Sequence, residues 1–181
     1  MQGSRVMLVA RALSVLALLL SAAAALAAPE AAPSRRAAVF GIELAEPGAV
    51  GLRPLRPEDA RRLALATATL EREVAAAGTL APVDLGSQAA AIRRDAPLYK
   101  CEGCAERIAL TAGAALAVYG YVQRNANQLL NLTITITEAD SGKVLRGGQV
   151  VIRGDTDDTW LHGVRWLVKN RLLAEPLPSR S

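Results

Sequence analysis

The sequence predicts an α/β (α+β) fold, a mixed sheet of about five strands with helices packed on it. Three observations carry that expectation. Residues 57–77 hold apolar side chains at helical spacing, residues 114–124 form a near-continuous apolar run, and residues 128–138 alternate apolar with polar. With their neighbours they give the order β-α-β-α-α-β-β-β-α, two strands alternating with helices and then a three-stranded meander. The first crossover is expected to be right-handed.

The first strand is read at 38–45, with Gly41 as a place where another backbone could come close. Residues 46–56 carry prolines and glycines that forbid regular structure, so a long loop follows, either functional or a plain surface excursion. Helix 57–77 begins at Pro57, which suits the first helical position, and Glu58 and Asp59 complement the dipole of its first turn. Leu63, Ala66, Leu70, Val74 and Ala77 form its apolar side, and Gly78 ends it. A short strand at 79–85 and a weaker helix starting at Gly86-Ser87 and ending before Pro97 come next. The two-cysteine corner then leads into helix 104–112, which Gly113 stops.

The run 114–124 suits a strand covered on both faces. After a turn at 125–127, Leu130, Leu132, Ile134 and Ile136 face one way, while Asn131, Thr133, Thr135 and Thr137 face the other. Asp140-Ser141-Gly142 turns the chain into strand 143–153, where Gly147-Gly148 marks a bulge or a close contact. Asp155 or Thr156 caps a last helix, 157–174, and residues 175–181 read as a disordered tail.

The amino terminus has the secretory pattern: Arg5 and Arg11, an apolar run at 12–20, then small residues. Residues 1–27 are therefore expected to be a signal peptide cleaved near Ala27, with an uncleaved anchor as the alternative. Residues 28–37 read as a flexible lead-in and 38–174 as a single domain. Removing the leader's two arginines lowers the net charge from +4 to +2, and the chain has one Phe, two Trp and three Tyr. A basic surface interleaved with stacking aromatics is missing, which argues against nucleic acid as a partner. The expected place is the periplasm, with no stable membrane span after cleavage. The expected partner is another periplasmic or envelope protein.

Both cysteines lie in Cys101-Glu102-Gly103-Cys104. In an oxidising compartment such a pair forms a structural disulfide; the alternatives are a thiol–disulfide redox site and a metal site. The redox reading has Cys104 at a helix start, where the dipole favours a thiolate. It lacks a strand before the pair and a proline between Pro97 and Pro176. Zinc needs about four ligands, and the chain offers two cysteines and His162. Position 105 is Ala, which rules out the covalent haem motif.

Other candidates gather near the last helix. His162 reads as a general base, a metal ligand or a surface residue. The junction from Arg153 to Trp160 brings Asp155, Asp157 and Asp158 to a helix start, suiting a cation or a helix cap. Gln123, Asn125, Asn127, Gln128 and Asn131 would line a polar groove or make a polar hairpin tip. Arg153, Asp155, Asp157, Asp158, Trp160 and His162 are the candidate binding set. No catalytic constellation, resident metal or cofactor is indicated.

Ala38-Val39-Phe40, Ala112-Gly113-Ala114 with Val118-Tyr119-Gly120, and Ser141-Gly142-Lys143-Val144-Leu145 resemble the amino-terminal domain of TolB and the related domain of the curli-secretion lipoprotein. The chain departs from that pattern at Ala115, where an acid is usual, and at Glu138, where aspartate is. A closer likeness covers nearly the whole mature chain. The C-x-G-C corner and the R-G-x-T-D-x-x-W run of residues 153–160 resemble a family of small exported proteobacterial proteins of unknown function. A well-formed core without a recognisable set of catalytic side chains points to a non-enzymatic periplasmic accessory or binding module. It would act through its sheet edge, the 46–56 loop and the 153–160 junction. The rivals are a redox protein using Cys101 and Cys104, and an envelope assembly component.

Overall fold

The computed structural model describes residues 34–45, 56–126 and 128–178. The leader, most of the lead-in, most of the 46–56 loop, Asn127 and the last tail residues lie outside them. The elements follow the expected order. They are β1 (Arg35–Ala45), α1 (Pro57–Ala76), β2 (Leu80–Pro82), α2 (Ala89–Asp95), α3 (Cys104–Thr111), β3 (Leu116–Ala126), β4 (Leu129–Glu138), β5 (Val144–Arg153) and α4 (Asp157–Leu167). Short 3-10 turns precede α2 and α3, and a π turn, Val168–Leu172, continues α4.

The sheet runs β2-β1-β3-β4-β5. β1 is parallel to β2 and β3, and the β3–β4–β5 meander is antiparallel. β1 starts at Arg35, inside the stretch whose composition reads as lead-in, because Arg35, Arg36 and Ala37 pair with β2. β2 is shorter than the expected 79–85: it ends at Pro82, and Asp84 Oδ1 accepts the Gly86 N–H in a local turn.

The alternation along β4 sorts the two faces. Leu130, Leu132, Ile134 and Ile136 are buried beneath α1 and α4, whose Leu63, Leu70, Val74, Trp160, Val164 and Leu167 belong to the same core. Each such side chain contributes about 1.5–3 kcal/mol on burial. A smaller core on the opposite face joins Phe40, Leu98, Cys104, Ile108 and Ala117 under α3. Tail residue Leu177 packs on the first core, and Arg146 and Arg35 donate to the carbonyls of Pro176 and Pro178. Residues 175–178 therefore lie against the fold despite a composition that reads as disordered. No helix among the described residues is long and apolar enough to cross a membrane.

Glycines mark where backbones meet. A Cβ on Gly41 would have Thr67 Oγ1 as its nearest neighbour, at 3.8 Å. Its role is in a register shift that frees the Ile42 N–H to donate to that hydroxyl. The close approach is at Gly120, where a Cβ would sit 2.5 Å from the Thr133 carbonyl oxygen of β4. Gly120→Ala must push β3 from β4, and a loss of about 1–3 kcal/mol is expected in urea unfolding. At Gly148 the contact is with α4 and its continuation, since a Cβ would meet Leu167 and Arg171 at 3.0 Å. The β5 bulge lies instead near Leu145, where the β4 register shifts.

Candidate functional site

The junction is built from the end of β5. Gly154 takes φ 87°, a left-handed value suited to glycine, and turns the chain off the sheet. Thr156 caps α4: its hydroxyl accepts the Thr159 N–H, and the Thr159 hydroxyl accepts the Thr156 N–H. The cap fixes where the neighbouring acids point.

Two of the three junction acids turn inward to arginines. Asp155 accepts from Trp160 Nε1 at 3.0 Å and Arg124 at 3.1 Å, and is also paired with Arg62 at 3.1 Å and Arg56 at 3.7 Å. Asp157 is paired with Arg61 and Arg62. Asp59, in the first turn of α1, is 1% exposed and accepts from Arg56 at 2.7 Å and Arg124 at 3.0 Å. Burial pushes the Asp59 carboxyl up, but the hydrogen bonds from Arg56 and Arg124 outweigh it and hold the group below its ordinary value. Asp157 is held down chiefly by Arg61. Among the described residues no cluster of His, Cys, Asp or Glu is placed to hold a metal. The acids neutralise guanidinium groups, which ties α1, the end of β3 and the start of α4 together.

Arg153, Asp158 and His162 form a second group. They line a shallow groove of about 320 Å³ between β5 and α4, with Val150, Ile152 and Gly163. The candidate set thus divides into an inward network of Asp155, Asp157 and Trp160 and an outward groove. Sequence reasoning missed Asp59, Arg56, Arg62 and Arg124 as network partners. The available signal was an acid in the first turn of α1 facing a chain rich in arginine.

Cys101 and Cys104 form a disulfide with Cα atoms 5.5 Å apart. Gly103 between them takes φ 73°, and Cys104 begins α3. Upstream, the Leu98 and Tyr99 N–H groups donate to the Glu43 carboxylate on β1. Burial raises the Glu43 pKa, overriding those two donors. Tyr99 stacks on Tyr121 at 4.6 Å. The bond closes the turn that follows Tyr99. Cys101→Ser with Cys104→Ser is expected to cost no more than about 2 kcal/mol in urea unfolding, because so short a loop has little entropy to lose.

Beyond α3, no helix among the described residues covers this sheet face, and Tyr121, Gln123, Asn131 and Thr133 on it are half-buried. Tyr121 opposes Thr133, Gln123 opposes Asn131, and Asn131 and Thr133 oppose Val151 and Gln149 of β5. Gln123 and Asn131, two members of the predicted polar run, are thus cross-strand neighbours, while Asn125 and Gln128 are exposed near the hairpin end. Thr137 donates to the buried Glu106 at 2.7 Å, and burial followed by the Glu106 charge raises the Tyr119 pKa.

Fold and site define a class: a mixed-sheet α/β protein with a disulfide corner, an internally neutralised charge network and, among the described residues, one long open sheet edge. The chain belongs to the DUF3280 family, described as "Protein of unknown function (DUF2380)", whose model matches residues 35–172. No curated protein matches it. Among solved structures it is similar to the LpoB C-terminal domain from Escherichia coli, at 19% identity and TM-score 0.49, over 70% of this chain and 88% of that one. It is similar to lipoprotein GNA1162 from Neisseria meningitidis, at 13% identity and TM-score 0.47, over 68% and 83% of the two chains. The likeness to TolB from Acinetobacter baumannii has 10% identity and TM-score 0.42, over 76% of this chain and 28% of that one.

Proposed function

We propose that this protein is an exported, periplasmic accessory module that works by binding another envelope protein. Its recognition surface is the free edge of β5 with the groove beside it. The observation that carries this reading is the inequality of the two sheet edges. β2 is three residues long and ends in Pro82, which gives an added strand little to pair with. β5 is ten residues long, with Val144 and Val151 59% and 52% exposed. A long edge strand with apolar side chains outward is what strand addition uses. The inward acids of the junction hold α4 in place, so the 153–160 segment serves as a support that shapes the groove.

Export rests on the leader pattern of residues 1–27, and the Cys101–Cys104 bond fits an oxidising compartment. In this reading the bond is a clasp, with a reduction potential below about −300 mV. A value near those of oxidoreductases would favour the redox alternative.

The test is site-specific photocrosslinking in the cell envelope. Photoreactive residues at Gln149 and Val151 are expected to trap one protein species, while the same probe at Arg72 on α1 traps none. Equal export with no adduct from either β5 position would remove the reading.

A further inference from the structure

We infer that the partner presents an extended, acidic segment that joins the sheet beside β5 as a sixth strand. Its apolar side chains would enter the β5–α4 groove, and a carboxylate would meet Arg153. The inference rests on the reading of β5 as the recognition edge and adds the chemistry of what binds there.

The backbone supplies the first part. The Gly154 N–H donates to the carbonyl of Gln128, the residue just before β4. Antiparallel bonding alternates with a period of two residues, so Ile152 and Val150 also turn their polar backbone groups to β4. Those of Arg153, Val151 and Gln149 therefore point away from the sheet. They form a row of donors and acceptors with no strand beyond it among the described residues. An incoming chain can satisfy them without breaking any bond of the fold.

The side chains supply the second part. Side chains of an added strand alternate between two faces. One row falls on the groove side, where Val150, Ile152 and Gly163 give an apolar floor and His162 a wall. A Cβ on Gly163 would meet Ile152 at 3.1 Å, so the groove floor is already closely packed and has room for a modest side chain only. The other row falls beside Val151 and Gln149 on the open face.

Charge selects the occupant. β5 carries Arg146 and Arg153 and no acid, and Lys143 precedes it. Arg146 is engaged by Glu175 and the Pro176 carbonyl. Arg153 is exposed, and no hydrogen bond or ion pair engages it among the described residues. Arg153 and Asp158 both line the groove; Asp158 repels a carboxylate on the α4 side, so the partner's acid meets Arg153 on the β5 side. A second copy of this chain fits poorly. Antiparallel β5–β5 pairing sets the Lys143–Arg146 end of one copy against the Arg153 end of the other, and like charges across strands are destabilising.

The experiment uses the mature chain and fluorescein-labelled peptides of sequence Thr-Val-Glu-Val-Glu-Val-Thr, read by anisotropy at low salt. Three comparison peptides replace Glu by Lys, methylate alternate backbone nitrogens on one edge, or methylate those on the other. The glutamate peptide is expected to bind at least about tenfold more tightly than the lysine peptide. One methylated peptide should lose binding and the other keep it, because only one edge of an added strand pairs. Arg153→Glu should reverse the glutamate–lysine preference while leaving the melting temperature unchanged. Equal binding of all four peptides, indifference to Arg153→Glu, or sedimentation as a β5-linked dimer would overturn the inference. Crosslinks from Val151 in the cell alongside any of those results would overturn it and leave the edge reading standing. Loss of the crosslinks would remove both.

Discussion

Asp59→Asn is expected to destabilise the protein by about 3 kcal/mol at neutral pH, among the largest effects of any single polar substitution here. Asp59 is buried, and it is the shared acceptor for Arg56 and Arg124, with Arg62 3.8 Å away. Asparagine keeps the volume and removes the charge, leaving Arg124 and Arg62 facing each other across a half-buried space. Asp155 still accepts from Arg124, which holds the loss at the low end of the usual 3–5 kcal/mol for breaking a buried pair.

The effect has a definite pH dependence. The folded carboxyl is depressed relative to its unfolded value of about 3.9, so its stabilisation is complete above that pH. It is lost as pH falls through the lower folded value. Urea midpoints of wild type and Asp59→Asn should therefore differ widely at pH 7 and begin to converge only as pH falls below that unfolded value. Asp95 and Asp157 are depressed by their arginines too, so the wild-type protein should lose stability in the same acid range. Equal midpoints at pH 7 would show that the network carries no net stability.

Trp160→Ala is expected to cost about 3–5 kcal/mol, a large share of the 5–15 kcal/mol typical of a domain this size. Trp160 is 1% exposed in the core between α4 and the sheet, and its Nε1 donates to Asp155. Alanine leaves a cavity and also releases one donor from an acid that three arginines contact. Trp160→Phe separates the two terms. It retains most of the packing and should lose about 1–2 kcal/mol from the missing hydrogen bond. Combined with Asp59→Asn it should be non-additive, because Arg124 bridges Asp59 and Asp155. Thermal melts of the two single variants and the double variant read this directly.

The strand and helix order was legible because hydrophobic period and burial agree along most of the chain. On β4 every second residue is apolar and buried under α1 and α4, and no other register would hide them. Legibility failed where neither period nor composition carries the cause. Arg35-Arg36 looks like solvated linker, yet it pairs with β2 because the strand register continues through polar residues. The tail's Leu177 is tied down by a distant core.

The candidate site was legible as a segment and opaque as an arrangement. Asp157 and Asp158 are adjacent in sequence, but neighbouring helical positions differ by about 100°. Asp158 and His162, four apart, therefore share the groove face, while Asp157 and Trp160, three apart, turn towards α1 and the core. The acids alone suited a cation as well as a cap. The arginines that pair with Asp155 and Asp157, namely Arg61, Arg62 and Arg124, come from other elements, which a linear reading of the junction does not contain.

The open edge is tested most directly by residue-resolved amide hydrogen exchange in β5 of the free protein. Val150 and Ile152 should be strongly protected by β4, with Gln149, Val151 and Arg153 exchanging fast between them. Uniform protection along β5 would mean that the outward row is already paired, and would contradict an edge held available for a partner.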